Sequence, residues 1–254
     1  MDLPPLGTLI GSGKEAEVFD AGDLVVKLYR ATAAAPKLAA LHEASVLALL
    51  EAHGLPVPSV YSVGQVDGRW GIAMTRADGP PLAEGILRGP GEAAAGLERM
   101  VRLHREIHGR PGTNLAGLKP RLAENIGRAA GTLGHPLARR LLDSLAALPE
   151  GDRLCHGDFH PWNILGPPGR EVVVDWPNAC AGDPAADACR SYVLMHPAAP
   201  ALAAAYVDAY AAAAGQSRDR ILAWLPVVAA ARLMEGVPDE IKGLMAMAAS
   251  ESSP

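Results

Sequence analysis

The chain has 254 residues, 49% of them hydrophobic and 20% charged, with 27 glycines and 22 prolines; this suits one large packed domain or two small ones and excludes a disordered chain. Its formal net charge of −5, with Lys and Arg scattered along the sequence, gives no electrostatic footprint for a nucleic-acid backbone or an anionic membrane surface. Cys155, Cys180 and Cys189 form an odd set with no CxxC spacing, so reduced, buried thiols are expected rather than disulfides or a zinc site.

In chain order, the N-terminal MDLPPLGTL lacks a basic stretch followed by an apolar one, and the late apolar run LAWLPVVAAARLM is broken by Pro226 and Arg232. A cytoplasmic protein is expected. Residues 6–10, 16–20 and 24–29 are short β-prone runs separated by turn material, which predicts three strands. Residues 36–53 follow as a helix, opened by Pro36 and stopped before Gly54. VPSVYSVGQV and RWGIAMT are then joined by Asp67-Gly68, a dipeptide suited to a tight hairpin. Around residues 76–81 the composition changes to RADGPP, and Ala- and Leu-rich helical patterns take over. This predicts an α+β chain with an N-terminal lobe at 1–76, a hinge at 77–81 and a helical lobe at 82–254. Two β-prone segments, Arg153 to His156 and Glu171 to Asp175, are expected to flank HGDFHPWNIL as two arms of a hairpin-like loop.

Three features carry chemistry. GSGKEAEVF places Gly11, Ser12 and Gly13 between predicted strands, with Ala16 and Val18 completing a G-x-G-x-x-A-x-V pattern that lets the backbone close over phosphates. A Walker loop needs Gly and Ser or Thr where Thr8 and Glu15 stand, and a Rossmann fingerprint opens a helix rather than a strand. Lys27 lies inside the apolar run LVVKLY, where an ammonium is out of place unless it meets an anion. Glu43 interrupts the apolar face of the next helix and is its candidate partner, the arrangement that positions phosphates in kinases; both side chains snorkelling to solvent is the structural alternative.

HGDFHPWNIL at 156–165, followed by Asp175 at the end of VVVD, is the third feature. Asp158 and Asn163 have the interval of the Asp and Asn of a kinase catalytic loop, and Asp175 follows an apolar strand as the metal-binding Asp does. One carboxylate would orient a hydroxyl; an amide oxygen and a second carboxylate would hold Mg²⁺ against phosphate. His104 and His108 have i, i+4 spacing but no Glu after His104, which removes the H-E-x-x-H reading. His160 lies inside the loop with its role open.

With HGDFHPWNIL, VVVDWPNACAGDPAADACRS and MVRLHREIHG, nearly the whole chain resembles the aminoglycoside phosphotransferase and choline kinase superfamily, the small-molecule branch of the kinase-like fold. The resemblance implies a two-lobed fold with a five-stranded antiparallel N-lobe carrying one helix. It implies Asp158 as catalytic residue, Asn163 and Asp175 as Mg²⁺ ligands, Lys27 and Glu43 as the phosphate-positioning pair, Asp187 as anchor of the loop, and His156 as a structural residue at its base. ATP and Mg²⁺ are the implied cofactors, with adenine near the backbone of Thr75 and Ala77, and a small-molecule hydroxyl is the implied acceptor. GSGKEAEVF is also similar to the loop of RIO-type atypical protein kinases, so that reading stays open beside an inactive nucleotide-binding module. The expected assembly is a monomer or homodimer. Asp208, Asp219, Glu235, Asp239 and Glu240 slightly outnumber nearby cations, which fits either a cationic acceptor or a solvated face.

Overall fold

The computed structural model describes residues 3–250. Its elements run β1 Leu9–Ser12, β2 Ala16–Ala21, β3 Leu24–Tyr29, α1 Pro36–Ala52, β4 Val60–Val66, β5 Arg69–Thr75, α2 Leu82–Ile86, α3 Pro90–His108, α4 Leu118–Arg128, α5 Ala130–Leu133 and α6 His135–Ala147. They continue with β6 Arg153–Cys155, β7 Ile164–Leu165, β8 Val172–Val173, β9 Cys180–Gly182, α7 Pro184–Met195, α8 Pro200–Ala214, α9 Arg218–Leu222, α10 Leu225–Arg232 and α11 Ile241–Ala249. The chain divides into two compact units. One holds the residues up to Glu84 together with Trp162–Pro177, and the other holds Gly85–Pro161 and the residues from Asn178 onward.

In the first unit, β1 to β5 form one antiparallel sheet in the order β1-β2-β3-β5-β4. Local chemistry sets its turns. Gly22 at φ 77 lets β2 reverse into β3, with its N–H donated to Asp20 Oδ1 at 2.8 Å. Asp67 and Gly68, at φ 49 and 77, supply the two positive dihedrals that a two-residue hairpin matched to strand twist requires. Alternation along β3 buries both faces: Val26 and Leu28 join Leu3 and Ala73 in a core cluster, while Lys27 and Tyr29 turn toward α1. The first strand starts later than the pattern suggests. Gly11 and Ser12 lie inside β1, paired to Val18 and Glu17, because a strand accepts small residues when its partner strand supplies the ladder.

The pairing around HGDFHPWNIL corrects the expectation. Arg153–Cys155 pairs with Cys180–Gly182, and Val172–Val173 pairs with Ile164–Leu165; the two predicted arms do not pair with each other. The reason is the reversal at Gly166-Pro-Pro-Gly169, where the two glycines take φ 109 and 81 and Gly169 N–H donates to Glu171 Oε2 at 3.0 Å. This short turn closes a hairpin at less entropic cost than a loop spanning residues 157–170. The hairpin joins the first unit through Gly166 N–H to Pro80 O, 3.2 Å, and Val173 N–H to Pro56 O, 2.8 Å.

Among the described residues, the second unit is helical apart from β6 and β9. α10, buried from Pro226 to Arg232, packs against α4, α6, α7 and α11. α3 packs against α8, an Ala-rich helix whose small side chains permit close approach. α7 starts with Pro184 after the Asp183 N-cap, whose carboxylate accepts the Ala185 N–H at 2.8 Å. All three cysteines are unbridged and buried. Among the described residues, no helix is long and apolar enough to cross a membrane.

Candidate active site

In the first unit, strand register assembles a row. Gly11 pairs with Val18, Val18 with Lys27 and Lys27 with Ile72, so these residues lie side by side on one face of the sheet. Neither Gly11 nor Gly13 has a positive φ, and a Cβ on either would meet its nearest neighbour only at 3.5 Å. The fold itself therefore does not demand glycine at these positions. Arg30, which sequence reasoning missed, pins the loop by donating Nη2 to Ser12 Oγ at 2.8 Å and Nε to the Gly13 carbonyl at 3.2 Å.

Lys27 is 9% exposed and is held by two carboxylates, Glu43 at 2.8 Å and Asp175 at 2.6 Å. Burial alone would pull the ammonium down, but Glu43 and Asp175 outweigh it and raise its pKa. Snorkelling is thereby replaced by a buried pair. Glu43 also accepts the Tyr29 hydroxyl, and burial, reinforced by that carboxylate, pushes the phenol above its usual range. Tyr29 was legible only as an apolar strand end; its second-neighbour position from Lys27, on the same strand face, was the available signal.

Asp175 stands at φ 67, a left-handed conformation that Asp tolerates better than most residues and that ends the β8 strand. The next residue, Trp176, is fully buried and donates its indole N–H to the Val173 carbonyl at 2.9 Å. The sharp turn thus buries Trp176 while the Asp175 side chain stays 42% exposed. Asn163 precedes β7, and its carbonyl accepts the Val174 N–H at 3.0 Å, so Asn163 and Asp175 sit at neighbouring positions across one hairpin. Thr75 N–H donates to Ser59 O at 2.9 Å. Ala77 lies past the end of β5.

In the second unit, the segment 156–159 is tied down by Asp187, which is 1% exposed. Asp187 accepts the His156 and Gly157 N–H groups at 2.6 and 2.9 Å and two imidazoles, His104 Nε2 at 3.0 Å and His108 Nε2 at 3.2 Å. The other ring nitrogens meet phenols: His104 Nδ1 with Tyr206, and His108 Nδ1 with Tyr210, each at 2.5 Å. The histidines are four positions apart on α3 and the tyrosines four positions apart on α8, so the two turns mesh. In one tautomer both rings donate from Nε2 to the carboxylate and accept the phenol O–H at Nδ1. Burial, with His108 adjacent, depresses His104 to about 3 despite the attraction of Asp187; for Asp187 burial acts upward, but the two histidines prevail and hold it well below the carboxylate range. His104, His108 and Asp187 are close enough to suggest a metal cluster, yet both Nε2 atoms already meet the same carboxylate oxygen.

Gly157, at φ 79, packs where a Cβ would collide with the Asn178 carbonyl, so only glycine passes there. Asp158 N–H donates to His156 Nδ1 at 3.2 Å. Burial would raise the Asp158 carboxyl, but His160 at 3.7 Å and Arg190 at 3.6 Å hold it at about 2. Arg190 was not singled out by sequence reasoning, although it follows Asp187 by one helical turn. The late acids are largely matched: Asp208 meets Arg218 at 2.5 Å, Glu235 meets Arg190 and Arg232, and Glu240 meets Arg232 at 2.6 Å.

Residues 7–224 match the phosphotransferase enzyme family, APH. No curated protein matches the chain by sequence. Among solved structures, it is similar to a thermostable mutant of aminoglycoside phosphotransferase APH(4)-Ia in ternary complex with ADP and hygromycin B, with TM-score 0.71, 16% identity and coverage of 96% of this chain and 94% of that one. It is also similar to a choline/ethanolamine kinase family protein from Mesorhizobium loti, with TM-score 0.62, 20% identity and coverage of 95% and 84%. A third is aminoglycoside phosphotransferase APH(3'')-Id from Streptomyces rimosus in complex with ADP and streptomycin, with TM-score 0.62, 19% identity and coverage of 85% and 90%. These likenesses establish the two-lobed α+β kinase-like fold. With the family match spanning most of its length, the chain belongs to the phosphotransferase enzyme family.

Proposed function

We propose that this protein is an ATP-dependent phosphotransferase that moves the γ-phosphate to a hydroxyl of a small molecule. The observation that carries this reading is Lys27, buried and held between Glu43 and Asp175 at 2.8 and 2.6 Å. Such an ammonium is fixed in place for the α- and β-phosphates, with little left to reorganise when they arrive. Gly11, Ser12, Gly13 and Val18 form the phosphate-covering part, and the backbone at Ala77 is the adenine contact; Thr75 contributes as the strand end that positions it. The family match and the small-molecule ligands of similar structures support a small acceptor.

Asn163 and Asp175 fit Mg²⁺, since an amide oxygen and a carboxylate on one hairpin are hard donors that leave room for the waters this ion retains. When bound, Mg²⁺ would neutralise phosphate charge. Asp158 would orient the acceptor hydroxyl. In the transfer, the acceptor oxygen forms a bond to the γ-phosphorus, the bond to the β,γ-bridging oxygen breaks, ADP leaves with that electron pair, and the hydroxyl proton passes to Asp158. The cytoplasm is the proposed setting, where unbridged cysteines persist.

Thermal unfolding with ATP, with and without Mg²⁺, tests the nucleotide part. At a hundredfold excess over Kd, ligand should add about 2.7 kcal/mol of stability, and absence of any metal-dependent shift at millimolar nucleotide overturns the reading. ADP release against hygromycin B, streptomycin, choline, ethanolamine and simple sugars then identifies the acceptor class.

A further inference from the structure

We infer that Arg190 is a positioning residue for Asp158 and that Glu235 fixes Arg190 in turn. The inference rests on the reading of Asp158 as the group that orients the acceptor hydroxyl. Arg190 donates Nε to the Gly157 carbonyl at 3.2 Å and Nη2 to Glu235, and the same Nη2 stands 3.6 Å from Asp158 Oδ1. A guanidinium is a rigid planar fork. Fixing Nε on the backbone before Asp158 and Nη2 on Glu235 therefore determines where its charge stands relative to the Asp158 carboxylate.

Glu235 is itself held, accepting Arg232 Nη1 at 2.8 Å, while Arg232 reaches Glu240 through Nε at 2.6 Å and Nη2 at 2.8 Å. Charges thus alternate from Asp158 through Arg190, Glu235 and Arg232 to Glu240. Groups facing Asp158 also include His160 at 3.7 Å on its own segment, His156 before it, and Arg232 at longer range. At 3.6 Å, Arg190 attracts the carboxylate without a close hydrogen bond of its own.

A strongly acidic carboxylate is a poor proton sink early in phosphoryl transfer; orientation of the hydroxyl is its larger contribution. Orientation is what a doubly anchored guanidinium supplies. A merely structural Arg190 would satisfy Glu235 and the Gly157 carbonyl with no consequence for turnover beyond stability.

The test measures ADP release from Mg·ATP with water as phosphoryl acceptor, beside thermal melting of each variant. Asp158→Asn should lower kcat on the order of 10². Arg190→Gln should lower it about tenfold with the ATP KM unchanged, and Arg190→Lys, which keeps charge but loses the fork, should recover part of that loss. In the Asp158→Asn background, Arg190→Gln should cost nothing further, because both act through one group. A folded Arg190→Gln enzyme with wild-type kcat, losses that multiply in the double variant, or a Lys variant no better than Gln overturns the inference while leaving Asp158 in place. Wild-type turnover in Asp158→Asn removes the reading of Asp158 and this inference with it. If Arg190→Gln does not fold, Arg190→Lys and Glu235→Gln decide: a kcat loss in both at unchanged KM supports it, and wild-type kcat in both overturns it.

Discussion

Two buried ionic clusters lie in the two units, and they are built to opposite ends. Lys27, with Glu43, Tyr29 and Asp175, is closed on one side and open on the other, because the Asp175 side chain remains 42% exposed. Asp187, with His104, His108, Tyr206, Tyr210 and two backbone N–H groups, is closed all round. A buried charge is costly unless every lone pair and proton is matched. The second cluster satisfies that condition within the protein and holds a loop. The first matches Lys27 internally yet leaves a carboxylate open to solvent, as the proposed binding role requires.

The largest expected effect that separates the two is Lys27→Ala. It leaves Glu43 buried without its cation, costing about 3–5 kcal/mol of stability, and removes phosphate electrostatics worth on the order of 10²–10³ in kcat. Urea unfolding and ADP release measure the two; an unaffected kcat in the folded fraction would make the first cluster a brace like the second.

Asp187→Asn is expected to act mainly on stability. The amide keeps the shape but replaces charge-assisted acceptance from four donors, at a cost of about 2–3 kcal/mol. Turnover should fall with the folded population and return when the protein is stabilised by Mg·ATP. A large kcat loss in fully folded protein would break the comparison from the other side.

Acid sensitivity is the graded effect, small at each pH step. His104 stays neutral in the folded state down to about 3, whereas in the unfolded chain it takes up a proton near pH ~6.5. A depressed folded-state pKa contributes stability present above the unfolded value and lost as pH falls toward the folded one. The slope approaches about 1.4 kcal/mol per pH unit between those limits. Asp187, held below the carboxylate range, loses stability in the same direction at still lower pH. Urea titrations through the mildly acidic range, with NMR of the His104 ring, measure this; an imidazole that charges near its ordinary pKa in folded protein would mean the cluster is open.

Much of the first cluster could be read along the chain. Lys27 inside LVVKLY and Glu43 on an apolar helix face are each an anomaly of charge in apolar company, and such anomalies point to each other. Asp158, Asn163 and Asp175 were legible by spacing, and the Asp67-Gly68 turn by its backbone requirement. Of the second cluster only Asp187 was legible, as the loop anchor the resemblance implied; its histidine and tyrosine partners were hidden. His104 and His108 looked like a metal pair without its Glu because their partners, Tyr206 and Tyr210, lie 102 residues away in a helix whose Ala content masks which face is buried. Arg190 and Arg30 were equally silent, since an arginine's partner is set by where its long side chain ends.

By itself, then, the sequence determined the five-stranded, one-helix N-terminal pattern, the glycine-rich segment at residues 11–13 and the spacing of Asp158, Asn163 and Asp175, because turns, alternation and motif intervals are properties of neighbouring residues. Only tertiary structure decided that Trp162–Pro177 joins the first unit, that Cys155 faces Cys180 rather than the strand before Asp175, and that Asp187 gathers two helices onto one loop. Those choices depend on which short turn closes at least entropic cost and on which distant donors can reach a buried carboxylate, and neither is written in any local stretch of chain.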